Sequence, residues 1–257
     1  MLPALLAAAL AAAADPEPPK RLPPRPEKTD AEYAAQAADL RAAYAKPPKE
    51  WPKPTVDAGV EYVELGLLPE VAHPKDNPYS AAKAELGKAL FFDARLSGSG
   101  QIACASCHDP DLGWADGRTT AFGHGRKALK RNSPAVLNAG LVDKLFWDGR
   151  AASLEAQAAA VFANKDEMRA DEKAAAERLS AVKGYAELFK EAFGDPAVTT
   201  DRAAQAIACF ERTVVGGKSR FDAFLRGKTD LLTDAEVRGL HLFRTDARCL
   251  NCHNGPA

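Results

Sequence analysis

Residues 86–110 read LGKALFFDARLSGSGQIACASCHDP, and residues 239–256 read GLHLFRTDARCLNCHNGP. Each is a helical stretch carrying a glycine and a Leu-Phe pair, followed by a loop that closes on Cys-x-x-Cys-His. The glycine precedes the first cysteine by seventeen residues in the first copy, Gly87 to Cys104, and by ten in the second, Gly239 to Cys249. The copies share a plan without sharing a length, which predicts two related units.

Outward from these stretches the pattern stays helical. Ser80 can cap a helix that carries Leu86, Leu90 and Phe91 on its apolar side. Tyr185, Leu188, Phe189 and Phe193 lie along another helix, and after Thr200 the residues Ala203, Ile207, Phe210 and Val214 recur at i, i+4, i+7 and i+11. Thr233 and Glu236 form a capping box ahead of Val237, Leu240 and Phe243. Residues 29–45 form an Ala-rich helix with Tyr33, Leu40 and Tyr44 on adjacent turns. Period-two stretches are few, so the fold class is all-α.

The chain has 257 residues, 46% hydrophobic and 27% charged, enough for real cores and too apolar for disorder. With 34 Lys+Arg against 35 Asp+Glu there is no basic field to neutralise phosphates, so nucleic acid is excluded as a partner class. Residues 1–14 contain a Leu/Ala run too short to span a membrane and ending in small residues, the pattern of a secretory signal peptide. Residues 15–28 carry six prolines among charges and are expected to stay extended. A second proline cluster at 47–54 ends the first helix, so 15–55 is expected to be a proline-rich linker with one helix and the folded body to start near Val56.

The chemistry sits in the two pentapeptides. Two thiols three positions apart can each add to one vinyl group of a haem, and the next residue, a histidine, then lies under the ring where its imidazole binds iron. Cys104, Cys107 and His108, and again Cys249, Cys252 and His253, thus read as attachment sites for two c-type haems, with His108 and His253 as the proximal iron ligands. A zinc ribbon places its Cys pairs far closer together and needs no following histidine. A thioredoxin-like pair would follow a strand of a βαβ unit, which this pattern lacks. A covalent haem also suits export.

A haem with two strong axial ligands moves electrons, whereas one whose sixth position opens can act on oxygen species. Of the five His, His73 and His241 read as surface or packing residues, and Cys209, between Ala208 and Phe210, as a buried inert thiol. His124 stands apart in Phe122-Gly123-His124-Gly125, a glycine-flanked loop that can swing an imidazole.

Residues 86–110, the GHG loop, RNSPAVLNAG (131–140), LFWDGRAASLEAQA (145–158) and DEM (166–168) together resemble the bacterial dihaem cytochrome c peroxidases, in the superfamily that also holds the MauG-type enzymes. The resemblance runs from about Glu61 to the last residue. It implies two cytochrome c-like haem domains: a peroxidatic one over 56–216 and, over 217–257, the start of an electron-transfer domain that is incomplete. It also implies that His124 caps the first iron at rest and leaves on reductive activation, that Gln157 and Glu167 are distal-pocket residues with Glu167 the proton shuttle, and that Trp147 lies between the haems. Asn132 matches a residue of a calcium site, to which its amide oxygen could contribute.

The activity so implied is reduction of hydrogen peroxide to water in the periplasm, with electrons from a small cytochrome c or cupredoxin, and a homodimer of the complete protein. Two rivals are a MauG-like enzyme that oxidises a protein side chain and a plain dihaem electron carrier. The chain stops four residues after His253, so the distal ligand of the second haem is unassigned and the chain is expected to be a fragment of a longer product.

Overall fold

A computed structural model describes residues 28–256. The expected signal peptide, residues 1–14, and nearly all of the first proline stretch lie outside the described residues. Among the described residues there are eight α-helices: α1 (Asp30–Tyr44), α2 (Ala81–Phe91), α3 (Leu154–Ala163), α4 (Glu172–Ser180), α5 (Lys183–Phe193), α6 (Thr200–Glu211), α7 (Arg220–Leu225) and α8 (Asp234–Arg244). No strands occur among them, only three isolated bridges, Asp109 with Ala115, Phe122 with Ala128 and Leu145 with Ala151. Each bridge pinches one of the loops between α2 and α3. No described helix is long and apolar enough to cross a membrane.

Side-chain caps start most of the described helices, those at Ser80 and Thr233 as the sequence predicts. Ser80 accepts from the Lys83 backbone, and reciprocal capping boxes form at Thr29 with Glu32 and at Thr233 with Glu236, each cap contributing about 1 kcal/mol. The helix after Thr200 ends at Glu211, three residues before the predicted Val214, because Thr213 turns back to donate to the Phe210 carbonyl at 2.6 Å. Val214 is buried nevertheless.

The first core joins α2, α3, α5 and α6 through Leu86, Leu90, Phe91, Phe162, Phe189 and Ile207. At the α2–α6 crossing Gly87 is so close that a Cβ there would overlap the Ala206 carbonyl, so this glycine serves close backbone approach.

The second core is built from both ends of the described chain: Leu40 and Tyr44 of α1, Trp51, Phe224 of α7, Leu232, and Val237 of α8. Here the structure corrects the expectation that residues up to 55 are a linker. Burying side chains of this size is worth about 1.5–3 kcal/mol each, which holds α1 and Trp51 to the second unit despite the prolines between them. The extended chain beyond Trp51 continues along the same unit. The Thr55 N–H donates to the Arg244 carbonyl at 2.9 Å, Asn251 bonds Asp57, and the Gly255 N–H reaches the Val63 carbonyl. Arg244, only 1% exposed, pairs with Glu64, donates to the Tyr44 hydroxyl and the Pro52 carbonyl, and lies over the Tyr44 and Trp51 rings. A guanidinium can be buried at this cost because its donors are satisfied.

Candidate haem site

Each pentapeptide folds as a single 3-10 turn, Cys104–Ser106 and Cys249–Asn251. In the first, the Cys107 and His108 N–H groups donate to the Cys104 carbonyl at 3.1 and 3.0 Å; in the second, Cys252 and His253 do the same to Cys249 at 3.1 and 2.8 Å. The preceding phenylalanine also recurs in place. The Phe91 and His108 ring centroids are 6.5 Å apart, and so are those of Phe243 and His253. The sequence repeat is therefore a repeat of structure. All five cysteines are free thiols, and Cys209 is buried in α6.

Cys104, Cys107 and His108 open on a cavity of about 530 Å³, within the roughly 300–1,000 Å³ of cofactor clefts. Its lining is mainly apolar, from Ile102, Val136, Leu154, Val161, Phe162 and Ile207 among others. The His108 Nδ1 lies 3.3 Å from the Trp114 carbonyl. A carbonyl can only accept, so Nδ1 carries the proton, and Nε2 is the nitrogen that an imidazole so oriented offers to a metal. Burial lowers the His108 pKa and keeps the ring neutral, as a ligand requires. Burial also raises the Cys104 and Cys107 thiols, so both are protonated at neutral pH. The two cysteines, the oriented imidazole and the mainly apolar walls fit a covalently attached haem.

Most of the predicted site residues meet at this cavity. Gln157, from α3, and Glu167, from the loop after it, both line the wall. Glu167 sits in a turn whose N–H donates to the Asn164 carbonyl at 3.1 Å. Burial pushes its carboxyl above the usual range, against the pull of Arg150 and Asn164. Trp147 lines the rim with 62% of its surface exposed, its indole N–H donating to the Asn132 carbonyl at 2.8 Å. It is thus no core tryptophan. Asn132 spends its side-chain nitrogen on the Arg118 carbonyl, and among the described residues no group of three or more His, Cys, Asp or Glu is placed to hold a metal ion.

His124 is not among the lining residues, although Phe122, Gly123 and Lys127 are. Its Nδ1 is buried with no hydrogen-bond partner. Its loop is fastened to the loop that carries Glu167: the His124 N–H donates to the Asp166 carbonyl at 2.9 Å, and Lys127 pairs with the Asp166 carboxylate at 2.8 Å. Gly123 packs against the same carbonyl so closely that a Cβ would overlap it. In the second unit Cys252 and His253 are exposed, while Leu250 between the cysteines is buried.

One cavity residue escapes the sequence reading. Glu211, on α6, lines the wall and is 6% exposed. It stands four residues after Ile207, on the stripe marked by Ala203, Ile207 and Phe210. A charged residue within a predicted apolar face was the available signal.

Two helix-led Cys-x-x-Cys-His turns, one facing a cavity with a carboxylate and an amide in its wall, are the features of a dihaem c-type protein. A family model described as di-haem cytochrome c peroxidase matches residues 81–230. The chain belongs to that family. It is 46% identical over 72% of its length to the methylamine utilization protein MauG of Methylorubrum extorquens and 45% identical over 70% to the cytochrome c551 peroxidase of Nitrosomonas europaea, covering 52% and 54% of those proteins. It therefore spans about half the length of the curated relatives it matches. A crystal structure of a MauG-like protein associated with microbial copper homeostasis superposes with a TM-score of 0.63 at 32% identity, over 74% of this chain and 55% of that one.

Proposed function

We propose that the protein acts as a dihaem peroxidase, reducing hydrogen peroxide to water with electrons from a small cytochrome c or cupredoxin, after export to the periplasm. The observation that carries this reading is the placement of Glu167 and Gln157 in the wall of the cavity that His108 and its two cysteines open on. A haem held there by Cys104, Cys107 and His108 would supply redox-active iron. Glu167 would take a proton from one peroxide oxygen and return one to the other as water forms. Its raised pKa suits both halves of that transfer. The Gln157 amide orients the peroxide, and the apolar walls keep bulk water away. Trp147, at the rim, is the aromatic relay for electrons from the second unit.

His124 is the gate in this reading. Its loop is fastened to Asp166, next to Glu167 in the cavity wall. His124→Gly is expected to give activity without pre-reduction, and an unchanged need for pre-reduction would remove the gate. The relation to MauG supports a second reading, oxidation of a partner protein's side chain. Adding hydrogen peroxide to the half-reduced protein with a reduced cytochrome c separates them. Stoichiometric cytochrome oxidation is expected; peroxide consumption without it favours side-chain oxidation, and no reaction leaves an electron carrier.

A further inference from the structure

Glu211 is the anomaly of the haem cavity. Its Oε2 is buried and makes no hydrogen bond, an arrangement that costs a carboxyl group dearly unless it is neutral or has a function. The obvious cation is already taken. Arg212, the next residue, forks onto Glu155 of α3 at 2.6 and 3.0 Å. Lys83 of α2 is engaged with the Asn77 side chain at 3.0 Å, and Asn77 in turn donates to Glu155. The pair so formed is closed on itself, with His73 beside it feeling Arg212, Lys83 and Glu155.

The charged groups acting on Glu211 are therefore Arg212, which favours its anion, and Glu155, which opposes it, while burial outweighs both and pushes the carboxyl up to about 8. On the cavity side it faces Cys104, close enough for its charge to raise that thiol further. The proximal His108 lines the same cavity and holds its Nδ1 against Trp114.

We propose that Glu211 is the proton-uptake site of the first haem cavity: its carboxylate gains one proton from solvent when the haem held by Cys104 and Cys107 gains one electron, and releases it on reoxidation. The inference rests on the haem reading above. The electron comes from the small donor protein or from a chemical reductant, no covalent bond is made to the haem, and charge inside the wall is unchanged across the cycle. The physical cause is that negative charge added in a low-dielectric enclosure favours the neutral acid over the anion. Proton-compensated reduction also keeps an electron available at a site that must later deliver it to peroxide.

The test is a redox titration of the haem-loaded protein at a series of pH values. One proton per electron is a tenfold change in the reduction equilibrium per pH unit, ~59 mV. The wild type is expected to approach this slope for one haem over the pH interval in which Glu211 titrates. Glu211→Gln should flatten that haem's response and leave the other haem unchanged, and Glu211→Asp should restore a slope. If Glu211→Gln keeps the slope, propionates or other groups carry the proton and the inference is overturned.

A second measurement needs no variant. The reduced-minus-oxidised infrared difference spectrum of the wild type should gain a carboxylic acid C=O band that shifts in D₂O, and its absence also overturns the assignment. Mass analysis of the peptide holding Cys104 and Cys107 separates the two levels: a peptide without haem defeats the haem reading itself, whereas haem present with an unchanged slope defeats only the role of Glu211.

Discussion

Glu167→Gln is expected to lower peroxide turnover by about 10²–10⁴-fold, the usual worth of a positioned acid–base group, while leaving the covalent haem content unchanged. The amide keeps the size of the side chain and can still donate a hydrogen bond, but it cannot accept and return a proton. The sign of the pH dependence follows from burial. A carboxyl raised above its ordinary range is protonated, and useless as the initial base, at pH values where a surface glutamate still works. Wild-type turnover should fall on the acid side as pH drops through that raised pKa, and the Gln variant should lose this limb. Steady-state rates against pH, normalised to haem, provide the check; a variant with wild-type rate and profile would take Glu167 out of the reaction.

Arg212→Leu is expected to destabilise the fold by about 3–5 kcal/mol, because it leaves Glu155 as an unpaired charge in a buried setting. That is large against a total stability of about 5–15 kcal/mol. The Arg212 and Glu155 side chains are only 7% and 20% exposed, and Arg212 is the cation paired with Glu155 among the described residues. Glu155 is held down to about 2 by the Arg212 and Asn77 hydrogen bonds. Its folded pKa is depressed, so its contribution is present above the ordinary carboxyl range and is lost as pH falls toward 2. Glu211 has the opposite sign: with its folded pKa raised to about 8, its contribution is full below the ordinary range and is lost as pH rises toward 8. Thermal melts across pH should show acid loss through Glu155, abolished in Arg212→Leu and recovered in stability by the double Arg212→Leu, Glu155→Leu variant. Equal melting of wild type and single variant would show that the ion pair contributes nothing.

Much of the fold is legible in the sequence. Caps and stripes at Ser80, Thr200 and Thr233 reported local backbone chemistry, which depends on near neighbours and survives folding. The pentapeptides did too, since their geometry is set within five residues. What could not be read depends on distant partners. Residues 15–55 read as a proline-rich linker with one helix, and only the presence of Phe224 and Val237 shows why Tyr44 and Trp51 are buried. The His124 loop is fastened by a contact with Asp166, forty-two positions along the chain. Glu211 was hidden because an acidic residue in a periodic stripe reads as an error in the pattern before it reads as a group facing a cavity.

The closure of the second core by both ends of the described chain sets an order of assembly. The first core uses residues from 86 to 214, so it can form without waiting for either end. The second needs pairings that span nearly the whole described length: Arg41 to Asp234 across 193 positions, Arg244 to Glu64 across 180 and to Tyr44 across 200. Loops of that length are slow to close and give high contact order. The second haem-binding turn is therefore still accessible after the first has been enclosed, and α1 acts as the clasp that shuts last. A protease present during folding should cut around residues 217–257 before it reaches the first unit.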